Sequence, residues 1–275
     1  MELRFGTSGI PLSSPRPRTV DGIRRARELG LGHLEMAWSN GVRMSDASAD
    51  EIAEVAREHD ITLTAHAPYY VNLCGAPEIV ARSRARLVEA GRLGARCGAV
   101  SFCFHAGFYG RLDPAEATRR VEKELERVAA ELRRKRHRID VRAELTGKAT
   151  QVGSLDEVLA WSAAVPGVLP CVDFSHRYAR DLGRHNGYED FAGTLAAIEA
   201  ALGRAALDRL HVHAGGIEYG PRGERRHQSL RETKFRWREL LRALKDLRVG
   251  GWLVCESPKM EEDALLLQKT YQRIK

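Results

Sequence analysis

Six apolar segments of this 275-residue chain end in a histidine or a carboxylate, and they follow one another at intervals of about 30 to 45 residues. Helix-like sequence fills the intervals between them. Strands that alternate with helices in this way form a parallel sheet, and eight such units close into a barrel. In a closed barrel the ends of all the strands meet at one mouth. The terminal residues of the six segments are His66, His105, Glu144, Asp173, His211 and Glu256.

The complete pattern contains eight strand candidates, each followed by a helix candidate. The strands are predicted at 3–6, 33–37, 61–66, 99–105, 140–145, 168–173, 209–213 and 251–256. The helices are predicted at 19–29, 49–59, 77–97, 114–136, 155–164, 188–202, 230–246 and 261–274. A barrel of this type typically needs roughly 250 residues. The sequence therefore predicts an α/β protein with one (β/α)8 TIM barrel, a single domain over residues 1–275.

Capping signals support several of the helix starts. Ser48 with Glu51 and Ser154 with Glu157 match the capping box, in which each side chain accepts a hydrogen bond from the other residue's backbone N–H. Asp113 precedes a proline at the first helical position, where a missing N–H has no cost.

The composition favours a cytoplasmic protein and excludes a membrane-spanning one. Five cysteines form no CxxC pair, which is typical of reduced thiols in a cytosol. No apolar run approaches the ~20 residues that a bilayer requires, and residues 1–5 enter a strand rather than a signal peptide. Lys and Arg exceed Asp and Glu by 44 to 37, which favours polyanion partners only weakly.

Imidazoles and carboxylates at one barrel mouth are the ligands that zinc or manganese prefers. A single buried histidine is more often a hydrogen-bonded core residue. Six such residues on consecutive strands would repel or stay unpaired unless a cation joined them. His176, Glu224 and His227 lie in the loops that follow and extend the set to nine. Nine ligands exceed the needs of one zinc ion, whereas three ions that share ligands would use them all.

At this point the chain resembles a known family, endonuclease IV, the trinuclear zinc enzymes that cut DNA at abasic sites. The resemblance lies in six segments that follow the family's order through most of the barrel. They are Ala65-His66-Ala-Pro-Tyr69-Tyr-Val-Asn72-Leu, Phe104-His105-Ala-Gly107, Glu144-Leu-Thr-Gly147, Cys171-Val-Asp173-Phe-Ser-His176, Gly223-Glu-Arg-Arg-His227-Gln-Ser-Leu and Glu256-Ser-Pro.

The resemblance implies three zinc ions, with manganese as a possible substitute. His66 and His105 would hold the first ion, and the catalytic Glu144 would bridge it to the second. Asp173, His211 and Glu256 would complete the second site. His176, Glu224 and His227 would hold the third.

Two features depart from the family pattern. The Asp-x-His of the family is here Glu224-Arg-Arg-His227, which is one residue longer, and the His-Pro-Gly is His105-Ala-Gly.

His211 and His213 face the same way because alternate residues of a strand share a face. Counting back from Gly220 favours His211 as the ligand and leaves His213 as its neighbour.

The implied partner is double-stranded DNA with abasic sites, bound by a monomer. Tyr69 matches the family's stacking tyrosine, and Asn72 lies in the same segment. Arg43 is a candidate for probing a groove, while Arg225 and Arg226 could contact phosphates. The alternatives are a packed aromatic side chain for Tyr69 and a solvated loop for the arginines.

The expected activity is hydrolysis of the phosphodiester 5′ to an abasic site, which leaves a 3′-hydroxyl. One alternative is a sugar isomerase or epimerase on the same barrel, which needs only one or two divalent ions. The other is a protein that binds damaged DNA without cutting it.

Overall fold

Eight parallel strands form a closed barrel in the computed structural model, which describes residues 2–274. The strands follow one another around the barrel in chain order, so each connection crosses over one helical layer. The predicted (β/α)8 fold is confirmed. The barrel strands are β1 (Leu3–Ser8), β2 (His33–Ala37), β3 (Thr62–His66), β4 (Ser101–Phe104), β6 (Asp140–Glu144), β8 (Val168–Asp173), β9 (Leu210–Ala214) and β12 (Gly251–Cys255).

Helices cover the outside of the barrel and bury one face each against it. In α4 (Pro114–Arg134) the buried residues Val121, Leu125, Val128 and Leu132 recur at the helical spacing. The other helices are α1 (Thr19–Glu28), α2 (Asp46–Glu58), α3 (Pro77–Arg96), α5 (Leu155–Ala164), α6 (Phe174–Arg180), α7 (Tyr188–Leu202), α8 (Arg204–Asp208), α9 (Trp237–Asp246) and α10 (Glu261–Arg273).

Two of the three predicted caps are confirmed. Asp113 accepts hydrogen bonds from the first turn of α4, and Ser154 forms a capping box with Glu157 at α5. The prediction for α2 was wrong by one turn, because the helix begins at Asp46 and its cap is Ser45, which accepts from the Ser48 N–H.

Four short strands form two small antiparallel sheets in the loops beside the mouth. β5 (Gly107–Phe108) pairs with β7 (Gln151–Val152), and β10 (Gly216–Gly220) pairs with β11 (Gly223–Gln228). The second pair lies where the sequence predicts a loop after the seventh barrel strand. Helix α9 starts at Trp237 rather than at 230, because the chain between the hairpin and α9 is irregular.

Candidate metal centre

The carboxyl ends of the barrel strands bring the predicted acidic and imidazole side chains to one mouth. His66, Glu144 and Asp173 are the last residues of β3, β6 and β8, and they are at most 4% exposed. His105 and Glu256 directly follow β4 and β12 and are partly buried. Charged and imidazole groups are rarely buried without a partner or a metal ion.

Glu144 lies at the centre of this cluster. Its Oε2 is 3.0 Å from His66 Nε2 and 3.3 Å from His105 Nε2, and these three residues are called the first group. Its Oε1 is 3.3 Å from both His176 Nδ1 and His213 Nδ1. One carboxylate therefore faces four imidazoles, as expected of a group that could bridge two ions.

The second group contains Glu144, Asp173, His213 and Glu256. One potential ligand atom from each lies within 4.8 Å of the others. His213 Nδ1 is 3.5 Å from Glu256 Oε1, so this imidazole faces two carboxylates at the mouth. Four N and O donors at this spacing could hold one divalent ion.

The structure places His213 in the second group, where the sequence analysis preferred His211. His213 is in register with Asp173 of β8, whereas His211 is in register with Cys171, two residues deeper in the barrel. His211 Nε2 instead lies 2.9 Å from Glu35 Oε2, and its Nδ1 lies 3.3 Å from Ser101 Oγ. The geometry therefore favours His213 as the ligand on β9.

The third group contains His176, Glu224 and His227, with potential ligand atoms within 4.8 Å of one another. His176 lies in the first turn of α6, which Asp173 caps by accepting the His176 N–H at 2.7 Å. The cap fixes Asp173 and His176 next to each other, and His176 Nε2 is 3.6 Å from Glu224 Oε2.

A β-bulge explains how the longer Glu224-Arg-Arg-His227 segment still brings its ends together. Residues three apart normally face opposite sides of a strand. In the hairpin, Tyr219 pairs with Glu224 and Glu218 pairs with Arg226, so Arg225 is an extra residue without a partner. The extra residue restores the alternation, and Glu224 and His227 reach the same site.

Gly147 leaves room for Glu224. A Cβ atom at this position would lie 2.5 Å from Glu224 Oε2 and 3.1 Å from the His176 ring. A side chain here would therefore displace two members of the third group.

Several buried polar atoms at the mouth have no hydrogen bond of acceptable geometry within the described residues. They are His105 Nε2, Asp173 Oδ2 and His227 Nδ1. One comes from each of the three groups, and an unpaired buried polar atom is costly. A divalent cation in each group would satisfy these atoms, so the residues fit a metal centre.

Hydrogen bonds at the far side of the imidazole rings prepare two histidines as ligands. His66 Nδ1 lies 2.7 Å from the Ala67 carbonyl, and His176 Nδ1 lies 3.0 Å from the Leu145 carbonyl. Donation to these carbonyls leaves the Nε2 lone pair of each ring free for the mouth.

The charges at the mouth shift the pKa values of the cluster strongly. Burial alone would lower the pKa of His66, but the hydrogen bond and charge of Glu144 raise it to about 9. Burial raises the pKa of Glu256 to about 8, and the nearby carboxylates of Asp173 and Glu144 act in the same direction. Without metal the cluster therefore holds extra protons, which a cation would replace.

Tyr69 is positioned beside the mouth with its side chain open to solvent. It is 57% exposed, and its ring centroid lies 5.2 Å from that of His66 and 6.2 Å from that of His105. Asn72 is turned inward, where its Oδ1 accepts the Cys74 N–H and its side chain packs against Gly107. Its contacts shape the loop between β3 and α3.

The three candidate arginines are exposed on two different loops. Arg43 follows β2. Arg225 and Arg226 lie on β11 and pair with Glu218 at 3.4 and 2.8 Å. Glu218 partly neutralises the positive charge of Arg225 and Arg226, and this contact was not predicted from the sequence.

Sequence reasoning missed Glu35, a carboxylate of β2 that is fully buried inside the barrel. It contacts both histidines of β9. The signal was present, since His33-Leu-Glu35 alternates like His211-Val-His213 and places two polar side chains on the inner face.

The fold is a (β/α)8 barrel with clusters of potential metal ligands at the carboxyl ends of its strands. The chain belongs to the xylose isomerase-like TIM barrel family, whose sequence model matches residues 23–275. An uncharacterized protein of Methanocaldococcus jannaschii is 38% identical over 274 residues, which cover 99% of this chain and 98% of that protein.

Solved structures of two kinds share the fold. Endonuclease IV from Thermus thermophilus is 22% identical with a TM-score of 0.74, and the match covers 98% of this chain and 100% of that one. D-allulose 3-epimerase from Methylomonas sp. is 16% identical with a TM-score of 0.68, covering 98% and 100%. At these identities the likeness establishes the fold and leaves the reaction open.

Among the described residues, none of the helices has both the length and the apolar composition needed to cross a membrane.

Proposed function

We propose that this protein is a zinc-dependent endonuclease that hydrolyses the DNA phosphodiester 5′ to an abasic site and leaves a 3′-hydroxyl. The observation that carries the proposal is the third group, in which His176 of α6 meets Glu224 and His227 of the hairpin. The first and third groups together contain four histidines that are not part of the second group. An enzyme that binds a single ion at the second group would not require them. The six segments shared with the endonuclease IV family support the same activity.

The residues suit the hydrolysis of a phosphodiester. Bound zinc ions would supply an activated water, contacts to the phosphate oxygens and a Lewis acid for the leaving group. Glu144 would link the first and second groups and fix the distance between their ions. The histidines add no negative charge, so the loaded site would attract an anionic phosphate.

Tyr69 is the candidate for recognising the lesion. Its exposed ring lies at the edge of the ligand cluster, where a nucleotide flipped into the mouth would leave a gap in the duplex. An aromatic side chain that stacks on the exposed bases would stabilise this gap. Arg43, Arg225 and Arg226 would add phosphate contacts that carry no sequence information.

A sugar epimerase is the second candidate, and one observation favours it. The second group by itself offers three carboxylates and one histidine, a complete site for one divalent ion. Several solved structures of the same fold are epimerases of D-psicose or D-allulose. In such an enzyme the third group would have no metal to bind.

Metal content and product analysis separate these candidates. The purified protein is analysed for bound metal and then incubated with a duplex that contains one abasic site, with an undamaged duplex as control. We expect about three zinc ions per chain, incision 5′ to the site, and a 3′ end that a polymerase extends. Activity should disappear with a chelator and return with zinc.

The same preparation is incubated with ketohexoses as the competing substrates. A single manganese ion per chain, together with epimerisation and no incision, would establish the second candidate. Binding to abasic DNA without incision at full metal content would instead indicate a protein that binds damaged DNA without cutting it.

A further inference from the structure

A polar network lies directly beneath the metal centre, inside the barrel. Its members are fully buried and come from four neighbouring or facing strands. They are His33 and Glu35 of β2, Thr64 of β3, Ser101 of β4, and His211 and His213 of β9. A buried carboxylate costs much free energy unless it is paired, so this network calls for a role.

Glu35 is the centre of the network. Its Oε2 accepts a hydrogen bond from Thr64 Oγ1 at 2.9 Å and lies 2.9 Å from His211 Nε2. His213 Nε2 lies 3.2 Å from Glu35 Oε1 and 3.3 Å from Oε2. One carboxylate therefore faces the deep nitrogen of both β9 histidines.

His213 is held from two opposite sides. Its Nε2 faces Glu35 within the barrel, and its Nδ1 faces Glu144 and Glu256 at the mouth. A neutral imidazole has one N–H and one lone pair. A carboxylate can only accept, so Glu35 favours the form in which Nε2 carries the hydrogen and Nδ1 keeps the lone pair.

We propose that Glu35 is a positioning residue that selects this tautomer of His213 and directs its Nδ1 at the ion of the second group. The inference rests on the metal centre of the proposed function and holds equally for a single-ion epimerase. His66 and His176 obtain the same orientation from backbone carbonyls, whereas His213 uses a charged acceptor. A carboxylate partner also makes the imidazole a stronger ligand.

His211 fits this role as a second donor to the same carboxylate. Its Nε2 lies 2.9 Å from Glu35 Oε2 and its Nδ1 lies 3.3 Å from Ser101 Oγ, so donation from Nε2 leaves Nδ1 to accept from the hydroxyl. The Nε2 atoms of His211 and His213 are 3.2 Å apart, and in this assignment both donate to Glu35 rather than to each other. Both ring nitrogens are thus used inside the barrel. His211 fixes Glu35 in place, and this explains why two histidines follow one another on the inner face of β9.

Two buried thiols give the competing account of the same cluster. Cys103 and Cys171 lie within 4.8 Å of the β9 histidines, a set of donors that could hold an ion of its own. Such an ion would occupy His213 Nε2 in place of the Glu35 contact. Cobalt distinguishes the two accounts, because a thiolate bound to Co²⁺ gives a charge-transfer absorption. Among the described residues Cys103 also lies within 4.8 Å of His66 and Glu144, whereas Cys171 is grouped only with Cys103 and the β9 histidines. A band that Cys171→Ser removes would therefore report an ion in the deeper set.

The test compares Glu35→Gln with wild type and with Glu157→Gln. Glu157 is a buried carboxylate that bonds Tyr109 and the α5 cap, away from the metal groups. Zinc affinity is measured by competition with a chelator. We expect Glu35→Gln to lower the affinity for one zinc ion by roughly 10- to 100-fold and to leave the affinity for the other ions unchanged. The control Glu157→Gln should bind zinc as the wild type does.

A second measurement needs no folded variant at position 35. Long-range ¹H–¹⁵N spectra of the zinc-loaded wild type should show a histidine with a protonated Nε2 and a metal-bound Nδ1 whose signal is absent in His213→Asn. His227, whose Nδ1 also lacks a hydrogen bond within the described residues, would give a second such signal that remains in this variant. The cobalt-loaded protein should show no thiolate absorption that Cys171→Ser removes.

Four results would overturn the positioning role: unchanged zinc affinity in Glu35→Gln, equal weakening of every ion, a His213 that binds through Nε2, or a cobalt–thiolate band that Cys171→Ser removes. A wild type that binds zinc but fails to cut DNA refutes the nuclease and leaves the positioning role testable. A wild type that binds no divalent ion refutes both.

Discussion

Replacing Glu144 by glutamine tests the metal centre most directly. The two oxygens of Glu144 face four imidazole nitrogens at 3.0 to 3.3 Å, and one of them would contact each of the first two ions. Glutamine has nearly the same shape, but its amide nitrogen donates hydrogen bonds and cannot bind a cation. The bridge between the first and second groups is then lost.

The structure predicts how many ions the variant keeps. The third group contains no atom of Glu144, so its ion should remain. We expect the zinc content of Glu144→Gln to fall from about three ions to about one. Incision should fall at least about 10³-fold, which corresponds to about 4 kcal/mol in the activation free energy. Binding to abasic duplex should persist, because phosphate contacts dominate affinity.

The assay measures incision of a labelled abasic duplex under single-turnover conditions, with metal analysis and gel-shift binding on the same preparation. Glu157→Gln is the matched control, since it replaces a buried carboxylate outside the three groups. Incision by Glu144→Gln within tenfold of wild type at full zinc content would refute the bridging role.

Three further predictions follow from other parts of the site. His227→Ala should lose about one of the three zinc ions, and a double variant with Glu224→Ala should be little worse than either single variant; full zinc content and full incision would mean that two ions suffice. Tyr69→Ala should reduce the preference for abasic over intact duplex by about 1–3 kcal/mol, and equal affinity ratios in variant and wild type would make Tyr69 a packing residue. The metal-free protein should lose stability as pH rises from 6.5 to about 9, because the raised pKa values of His66 and Glu256 mean that the folded state holds protons that the unfolded chain releases; urea unfolding that is flat over this range would contradict the charge balance.

The barrel itself could be predicted from sequence because its signal repeats eight times. Every strand candidate overlaps an observed barrel strand, and the chemistry-bearing residue stands at or just beyond the end of its strand in β3, β4, β6, β8 and β12. The same regularity favours His213 on β9, because it is the histidine nearer the strand end and is in register with Asp173. Counting back from Gly220 favoured His211, which lies two residues deeper in the barrel.

The hairpin could not be predicted with the same security. Its strands carry several polar side chains and one of them carries a bulge, so neither strand shows the plain alternation that marks a half-buried strand. The turn Gly220-Pro-Arg-Gly223 was the available signal. Glu35 was missed for another reason. It is the third of the five residues of β2 rather than a terminal one, and the alternation of His33-Leu-Glu35 places it on the inner face without indicating that two histidines of a distant strand contact it.

The division between barrel and hairpin has a consequence for how such a site could change function. The second group and its Glu35 support lie on barrel strands, which are held by parallel pairing on both sides. Two of the three members of the third group lie on the β10–β11 hairpin, a two-stranded sheet outside the barrel that is also tied to Gly147 by the Glu224 N–H. Under the proposed function, changes in the hairpin would add or remove an ion without disturbing the barrel. The choice between acting on a phosphodiester and acting on a sugar would then rest on the register of Glu224 and His227, with the central ion common to both.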